Sequence, residues 1–102
     1  MHIPVLLHES IEGLNIKAGG TYVDCTTNRG GHSQEIAKGI GQEGILICID
    51  LDQDALQEAR AVLEKIENAP KIHFIHSNFR HLASILKDLK IAHVDGILAD
   101  LG

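Results

Sequence analysis

Ile45-Leu46-Ile47-Cys48-Ile49 is an uninterrupted apolar run, and it ends in Asp50-Leu51-Asp52. A continuous apolar run, as opposed to an alternation of apolar and polar residues, is typical of a strand that is covered on both faces. Strands of this kind belong to parallel sheets that have helices on either side. The run therefore predicts a buried strand of an α/β fold.

Three other segments have strand character, and helical patterns separate them. The four predicted strands are Thr21 to Cys25, Gly44 to Asp50, Lys71 to His76 and Val94 to Asp100. The predicted helices between them are Ser33 to Ile40, Asp54 to Ile66 and His81 to Lys90. This βαβαβαβ order predicts a Rossmann-like α/β fold, in which parallel strands are joined by right-handed helical crossovers. Val5 to Leu14 is predicted to be a short helix packed on the sheet edge.

The composition is that of one small domain with an acidic balance. The 102 residues are 44% apolar, and 9 Lys and Arg residues oppose 14 Asp and Glu residues, which gives a net charge of -5. Proteins that hold nucleic acid through phosphate contacts normally carry the opposite balance. No apolar stretch approaches the roughly 18 residues that cross a bilayer. Met1 to Pro4 also lack the basic start of a signal peptide. Together these two features predict a cytoplasmic protein.

The cysteines and histidines do not form a metal-binding pattern. Cys25 and Cys48 lie in apolar strand runs and are predicted to be buried, reduced thiols. His73 and His76 are three residues apart on a predicted strand, so their side chains point to opposite faces. The chain contains no HExxH or Cys-x-x-Cys motif, and we expect no metal site.

The loops at the carboxyl ends of the predicted strands carry the candidate site, because ligands of open α/β sheets bind there. The first loop contains Gly30 and Gly31, which allow a ligand close to the backbone. The start of the next helix offers free N–H groups behind them. A tight strand-to-helix turn explains the same two glycines equally well.

Three residues on the other loops complete a predicted nucleoside site. Asp50 lies 20 residues after Gly30, which is the placement of an acid that accepts hydrogen bonds from a ribose, although it also suits a helix cap. For Asp52 we favour the cap. Phe79 either contacts an adenine ring or packs under the next helix. Asp100 ends the fourth strand, where it would face the reacting group of the ligand.

Several motifs of the chain resemble those of the bacterial RsmH (MraW) family. They are His2-Ile3-Pro4-Val5-Leu6-Leu7, Tyr22-Val23-Asp24, Arg29-Gly30-Gly31-His32-Ser33, Asp50-x-Asp52, Asn78-Phe79 and Val94-Asp95-Gly96-Ile97-Leu98-x-Asp100-Leu101-Gly102. The resemblance covers residues 1–102 from end to end and corresponds to the front part of a family member. Thr27 and Asn28 stand where the family pattern has Phe and Gly.

The resemblance implies the first half of a class I methyltransferase fold, with S-adenosylmethionine as the cofactor. Gly30, Gly31 and His32 would hold the methionine end of that cofactor. Asp50 would bind its ribose, and Phe79 would contact its adenine. The family methylates the exocyclic N4 of one cytidine in small-subunit ribosomal RNA.

Asp100 is the candidate catalytic residue, because the resemblance puts it near the methionine amino group or the target base. The resemblance also implies that RNA is gripped by sequence beyond residue 102, so we expect the chain alone to be inactive. Two alternatives stay open. One is an NAD-type dinucleotide-binding module, and the other is a truncated, non-catalytic remnant that forms homo-oligomers through an exposed sheet edge.

Overall fold

A parallel sheet of five strands with helices on both faces forms the part of the chain that the computed structural model describes, namely residues 5–7, 16–25 and 31–99. The strands are β1 (Val5–Leu7), β2 (Thr21–Asp24), β3 (Ile45–Asp50), β4 (Lys71–His76) and β5 (Gly96–Ala99). The helices are α1 (Gly31–Ile40), α2 (Gln53–Leu63) and α3 (Leu82–Asp88), and a 3₁₀ turn (Phe79–His81) precedes α3. The predicted Rossmann-like α/β class is confirmed.

The order of the strands across the sheet is β1-β5-β2-β3-β4. Successive strands β2, β3 and β4 step away in one direction, and the chain then returns through α3 to place β5 on the other side of β2. The direction in which successive strands are added to the sheet therefore reverses between β2 and β5, although all five strands are parallel. In open α/β sheets the ligand crevice lies outside the carboxyl ends of the strands at this reversal.

Val5–Leu7 forms an outer strand, so the prediction that it belongs to a helix is wrong. β1 runs parallel to β5, with Val5 opposite Ile97 and Leu7 opposite Ala99. The side of β5 that faces away from β2 presents backbone groups for pairing, and an extended segment satisfies them. This pairing joins residues some 90 positions apart, and local helical periodicity carries no information about it. Residues 8–15, the rest of the predicted helix, lie outside the described residues.

Each face of the sheet has its own aliphatic core. On one face α1 and α2 cover the sheet, with Ile36, Ile40, Leu56 and Leu63 packed against Leu46. On the other face α3 covers it, and the core there is formed by Leu82, Ile85, Leu86, Val23, Ile47, Ile49, Val94 and Ile97. Strand β3 contributes to both cores, which confirms that it is covered on both faces.

Asp95 joins β2 to β5 at the amino-terminal end of the sheet. Its Oδ2 accepts the backbone N–H of Thr21 at 2.8 Å, and its own N–H donates to the Thr21 carbonyl at 2.7 Å. Its Oδ1 lies 3.1 Å from His93 Nε2 and 3.7 Å from Lys17 Nζ. The Thr21 N–H, and then His93, hold the pKa of Asp95 below its ordinary value.

Within the described ranges, no helix is both long enough and apolar enough to cross a membrane.

Candidate functional site

A buried carboxylate stands at the carboxyl end of the central strand β2. Asp24 is 3% exposed, and the hydroxyl of Ser33 in the first turns of α1 donates a hydrogen bond to its Oδ2. Ser33 Oγ also lies 3.6 Å from Cys48 Sγ on β3. These contacts hold the start of α1 against the ends of β2 and β3. They therefore fix both ends of the glycine-containing loop, whose residues 26–30 lie outside the described ranges.

Asp24 lies at this edge of the sheet and is not among the site residues that the sequence predicts. Its signal is an acid that ends an apolar strand directly before a glycine-rich loop. Sequence alone does not reveal that its partner is Ser33, because that contact depends on how α1 turns back over the sheet. Asp24 thus joins the end of β2 to the first turn of α1.

The two thiols beside Asp24 are free and protonated. Burial, and then the charges of Asp24 and Asp50, raise the pKa of Cys25 to about 12. Burial, and then Asp24, raise the pKa of Cys48 to about 12 as well. Because the thiolate is the nucleophile and the metal ligand, neither cysteine is reactive near neutral pH. The prediction of a buried thiol is confirmed for Cys48, whereas Cys25 is only half-buried.

Asp50 and Asp52 divide two tasks at the end of β3. Asp52 Oδ1 accepts the N–H groups of Asp54 at 2.9 Å and Ala55 at 3.3 Å, so it is the N-cap of α2, as predicted. Asp50 Oδ1 accepts the N–H of Asp52 at 2.9 Å, which shapes the turn into the helix. Its other oxygen, Oδ2, makes no hydrogen bond with the residues that the structure describes.

The loop after β4 is hydrogen-bonded to the loop after β3. Ser77 N–H donates to the Asp50 carbonyl at 3.1 Å, and His76 Nε2 donates to the Leu51 carbonyl at 2.9 Å. Asn78 Oδ1 accepts the N–H of Arg80 at 2.9 Å and so caps the 3₁₀ turn. These bonds bring the turn that carries Phe79 beside the Asp50 loop.

Phe79 is exposed at this edge of the sheet. The residue is 39% exposed and belongs to neither of the two apolar cores, so it is not a core residue under α3. Leu51, which follows Asp50, is 66% exposed. The edge that carries Asp50 therefore also carries two accessible apolar side chains, a combination that suits a ligand with a flat apolar part and hydroxyl groups.

Of the remaining predicted site residues, the structure describes the backbone of Gly31 and His32. Gly31 and His32 are the first two residues of α1, so their backbone is at the amino end of that helix. Gly30 and Asp100 lie outside the described residues, and Asp100 follows directly after β5. Among the described residues, no group of three or more His, Cys, Asp or Glu side chains could hold a metal ion.

This edge of the sheet carries polar side chains at the point where the strand order reverses, and comparison with known proteins assigns the chain to a family. A sequence model of the MraW methylase family matches residues 1–102. The chain belongs to the MraW methylase family. This match confirms the resemblance that the sequence motifs indicated.

Three curated relatives carry the name ribosomal RNA small subunit methyltransferase H. The protein of Finegoldia magna is 54% identical over 99% of this chain and 31% of the relative. Those of Mycoplasma mycoides and Clostridium botulinum are 52% and 50% identical over 99% of this chain, and each is covered over 32% of its length. The chain thus spans about a third of the length of these family members.

A solved structure shares the fold. It belongs to a Clostridium thermocellum protein that is described as a candidate rRNA methylase, and it matches with a TM-score of 0.65. The match covers 76% of this chain and 42% of that one, at 21% sequence identity. At this identity the likeness supports the Rossmann-like fold of the present chain and nothing beyond the fold.

Proposed function

We propose that this chain is the cofactor-binding part of an S-adenosylmethionine-dependent methyltransferase that modifies small-subunit ribosomal RNA in the cytoplasm. The match of the family over residues 1–102 carries the proposal, together with relatives that are at least 50% identical and are named for that RNA. Because the chain spans about a third of those relatives, the complete activity is proposed for the whole enzyme. The 102-residue chain alone is expected not to methylate RNA.

The residues at the carboxyl edge fit a nucleoside cofactor. Asp50 Oδ2 makes no hydrogen bond with the described residues, and a carboxylate oxygen is a strong acceptor for ribose hydroxyls. The Phe79 ring is accessible on the loop after the neighbouring strand and offers a surface against which adenine can stack. In the proposed assignment Asp50 therefore binds the ribose, and Phe79 contacts the adenine.

The methionine end of the cofactor is proposed to lie over the start of α1. Gly30 and Gly31 would let it approach the backbone, and the N–H groups at the helix start favour a carboxylate. His32 is assigned to the same end by the family motif. The negative charges of Asp24 and Asp50, whose fields raise the pKa of Cys25, support a site for a ligand that also bears positive groups.

The proposed reaction is a methyl transfer to the N4 amine of a cytosine. The bound cofactor supplies a methyl group on a sulfonium, so that a C–N bond forms as the C–S bond breaks, and the amine then loses a proton. Conjugation with the ring makes this amine a poor nucleophile, and positioning supplies much of the rate. We assign to Asp100 the task of accepting a hydrogen bond or proton from that amine. The target base has to be unstacked to reach such a site.

Isothermal titration with two ligands tests the cofactor assignment. We expect the chain to bind S-adenosylhomocysteine and not NADH, because the proposed assignment puts an amino-acid end, and not a second nucleotide, over the start of α1. Binding of NADH alone would overturn the methyltransferase proposal in favour of a dinucleotide-binding module. Binding of neither ligand would favour a non-catalytic remnant.

Self-association through a sheet edge is proposed as a separate property. β4 is an outer strand of the sheet, and its side chains are half-buried or exposed. Such an edge presents backbone groups that a second copy can pair with. Size-exclusion chromatography with light scattering tests this directly, and a monomer at high concentration contradicts it.

A further inference from the structure

Charge is distributed unevenly between the two faces of the sheet. Residues 31–70, which include both helices of one face, contain eight acidic residues and three cations. Residues 79–94, which include the 3₁₀ turn and α3 on the other face, contain Arg80, Lys87 and Lys90 against the single acid Asp88. The net charge of -5 therefore conceals a basic segment on the α3 side of the molecule.

The cations of this segment lie on its solvent side. α3 turns Leu82, Ile85 and Leu86 toward the sheet, where they are buried. Helical periodicity places Lys87 on the opposite side, and it is exposed. Arg80 and Lys90 flank the helix and are exposed as well. We call this surface the α3 basic face.

Lys90 occupies a backbone position that favours glycine. Its φ is +61°, just after the end of α3. Its N–H donates to the Lys87 carbonyl at 3.0 Å, and Ile91 N–H donates to the Leu86 carbonyl at 2.9 Å, which is the hydrogen-bond pattern of a Schellman cap. A lysine is strained at this position, and its ammonium has no ion-pair partner in the described part of the chain. Because this ammonium is exposed and has no ion-pair partner among the described residues, its charge is available to an anion outside the chain.

We propose that the α3 basic face binds the phosphate backbone of RNA. This inference rests on the proposed function for the choice of RNA, and it adds a contact surface within this chain to the contacts expected beyond residue 102. Lysine and arginine neutralise phosphates without reading sequence, so three cations suffice for a backbone contact. Arg80 directly follows Phe79, so RNA on this face extends toward the proposed cofactor edge.

A pair of double variants tests the proposal. Lys87→Gln with Lys90→Gly alters the α3 basic face, whereas Lys38→Gln with Lys65→Gln removes two exposed cations from the opposite, acidic side. Binding of a labelled single-stranded RNA of about 20 nucleotides is followed by fluorescence anisotropy over a series of salt concentrations. For the α3 variant we expect a Kd about tenfold higher, and a salt slope smaller by about 0.7 for each lost phosphate contact. The control is expected to stay within about twofold.

Thermal unfolding separates binding from folding. Glycine relieves the strain at position 90, so Lys90→Gly alone is expected to raise the Tm while it weakens RNA binding. If the loss of RNA binding came from misfolding, the Tm and the RNA affinity of Lys90→Gly would both fall.

Several outcomes overturn the α3 assignment. They are an unchanged salt slope in the α3 variant, an equal loss in the control, and no RNA binding by the unaltered chain. Competition by poly-glutamate as strong as that by RNA would assign the face to an acidic protein instead. Titration with S-adenosylhomocysteine distinguishes this proposal from the proposed function. The α3 variant should bind that ligand with unchanged affinity. If the unaltered chain does not bind it, the cofactor assignment fails and the α3 assignment is still decided by the RNA measurements.

Discussion

The two ends of the sheet use carboxylates in opposite ways. At the amino-terminal end, Asp95 directs one oxygen at the Thr21 backbone and the other at His93 and Lys17. At the carboxyl end, Asp50 accepts one backbone N–H through Oδ1, and its Oδ2 makes no bond with the described residues. Both oxygens of Asp95 therefore bond within the fold, whereas Asp50 has one oxygen without a hydrogen bond among the described residues.

Packing differs between the two ends of the sheet in the same way, since it is tight at the amino-terminal end and open at the carboxyl end. Close to the amino-terminal end, Gly44 packs so tightly against Ile40 and the Gly20 carbonyl that no side chain fits. At the carboxyl end, Leu51 and Phe79 are the exposed large hydrophobic residues of the described part of the chain. We infer that substitutions at the amino-terminal end change stability, whereas substitutions at the carboxyl end change affinity.

The largest effect is expected at Gly44. A Cβ there would collide with Ile40 Cγ2 and with the backbone oxygen of Gly20, which accepts the N–H of Ile45 at 3.0 Å. Since a backbone atom cannot rotate away, Gly44→Ala should lower the free energy of unfolding by about 3 kcal/mol. Chemical denaturation measures this change.

Gly41→Ala is the matched control for Gly44→Ala. Gly41 has a φ of +74° and open space around its Cα, so alanine there meets backbone strain but no collision. We expect a loss of about 1 kcal/mol. Equal losses in the two variants would show that the packing around Gly44 is not tight.

Asp95→Ala is expected to lower stability by about 2 kcal/mol, because it leaves the Thr21 N–H without its acceptor. The folded pKa of Asp95 is depressed, so the carboxylate stabilises the fold fully above its unfolded pKa of about 4. That contribution is lost as the pH falls through the lower, folded pKa. Urea unfolding between about pH 7 and pH 2 should therefore show the difference between wild type and Asp95→Asn shrinking at the acid end.

Lys17→Gln is the control for the Asp95 variants. The Lys17 ammonium lies 3.7 Å from Asp95 Oδ1 and is 71% exposed, so its removal should cost less than about 0.5 kcal/mol. A loss as large as that of Asp95→Ala would mean that the ion pair, and not the backbone hydrogen bond, joins β2 to β5.

Asp50→Asn is expected to weaken binding of S-adenosylhomocysteine about tenfold, roughly 1.4 kcal/mol, with little change in stability. The asparagine Oδ1 can still accept the Asp52 N–H, so the turn is kept while the charge is lost. Isothermal titration and thermal unfolding on the same variant measure both quantities. Asp54→Asn, an exposed acid in the first turn of α2, serves as the control and should leave the affinity unchanged.

Local sequence signals were sufficient for most of the fold. The run Ile45–Ile49 predicted the doubly covered strand, and Asp52 predicted the start of α2, because apolar patterning and capping act between neighbours in sequence. β1 was missed because its partner, β5, lies at the far end of the described chain. A three-residue strand has too short a pattern to reveal its pairing.

The site was predicted by position more than by contact. Asp50 and Phe79 are predicted site residues because strand ends in an α/β sheet converge on one edge. The Ser33 hydrogen bond of Asp24 and the positive φ of Lys90 have no such signal, because both depend on the three-dimensional fold. Asp95 appeared in the family motif, but its bond to Thr21 spans 74 residues and has no local signature.

Apart from the control variants, Phe79→Ala should have the smallest effect and the clearest separation of affinity from stability. The ring is 39% exposed and packs in neither core, so its loss should change the free energy of unfolding by less than about 0.5 kcal/mol. Loss of stacking on adenine should weaken S-adenosylhomocysteine binding about fivefold, roughly 1 kcal/mol. Phe79→Leu keeps an apolar contact without the ring face, so its affinity for S-adenosylhomocysteine should lie between those of the wild type and Phe79→Ala. If Phe79→Ala instead lowers the Tm and leaves affinity unchanged, the ring supports the 3₁₀ turn, and the carboxyl end of the sheet also uses its exposed residues for folding.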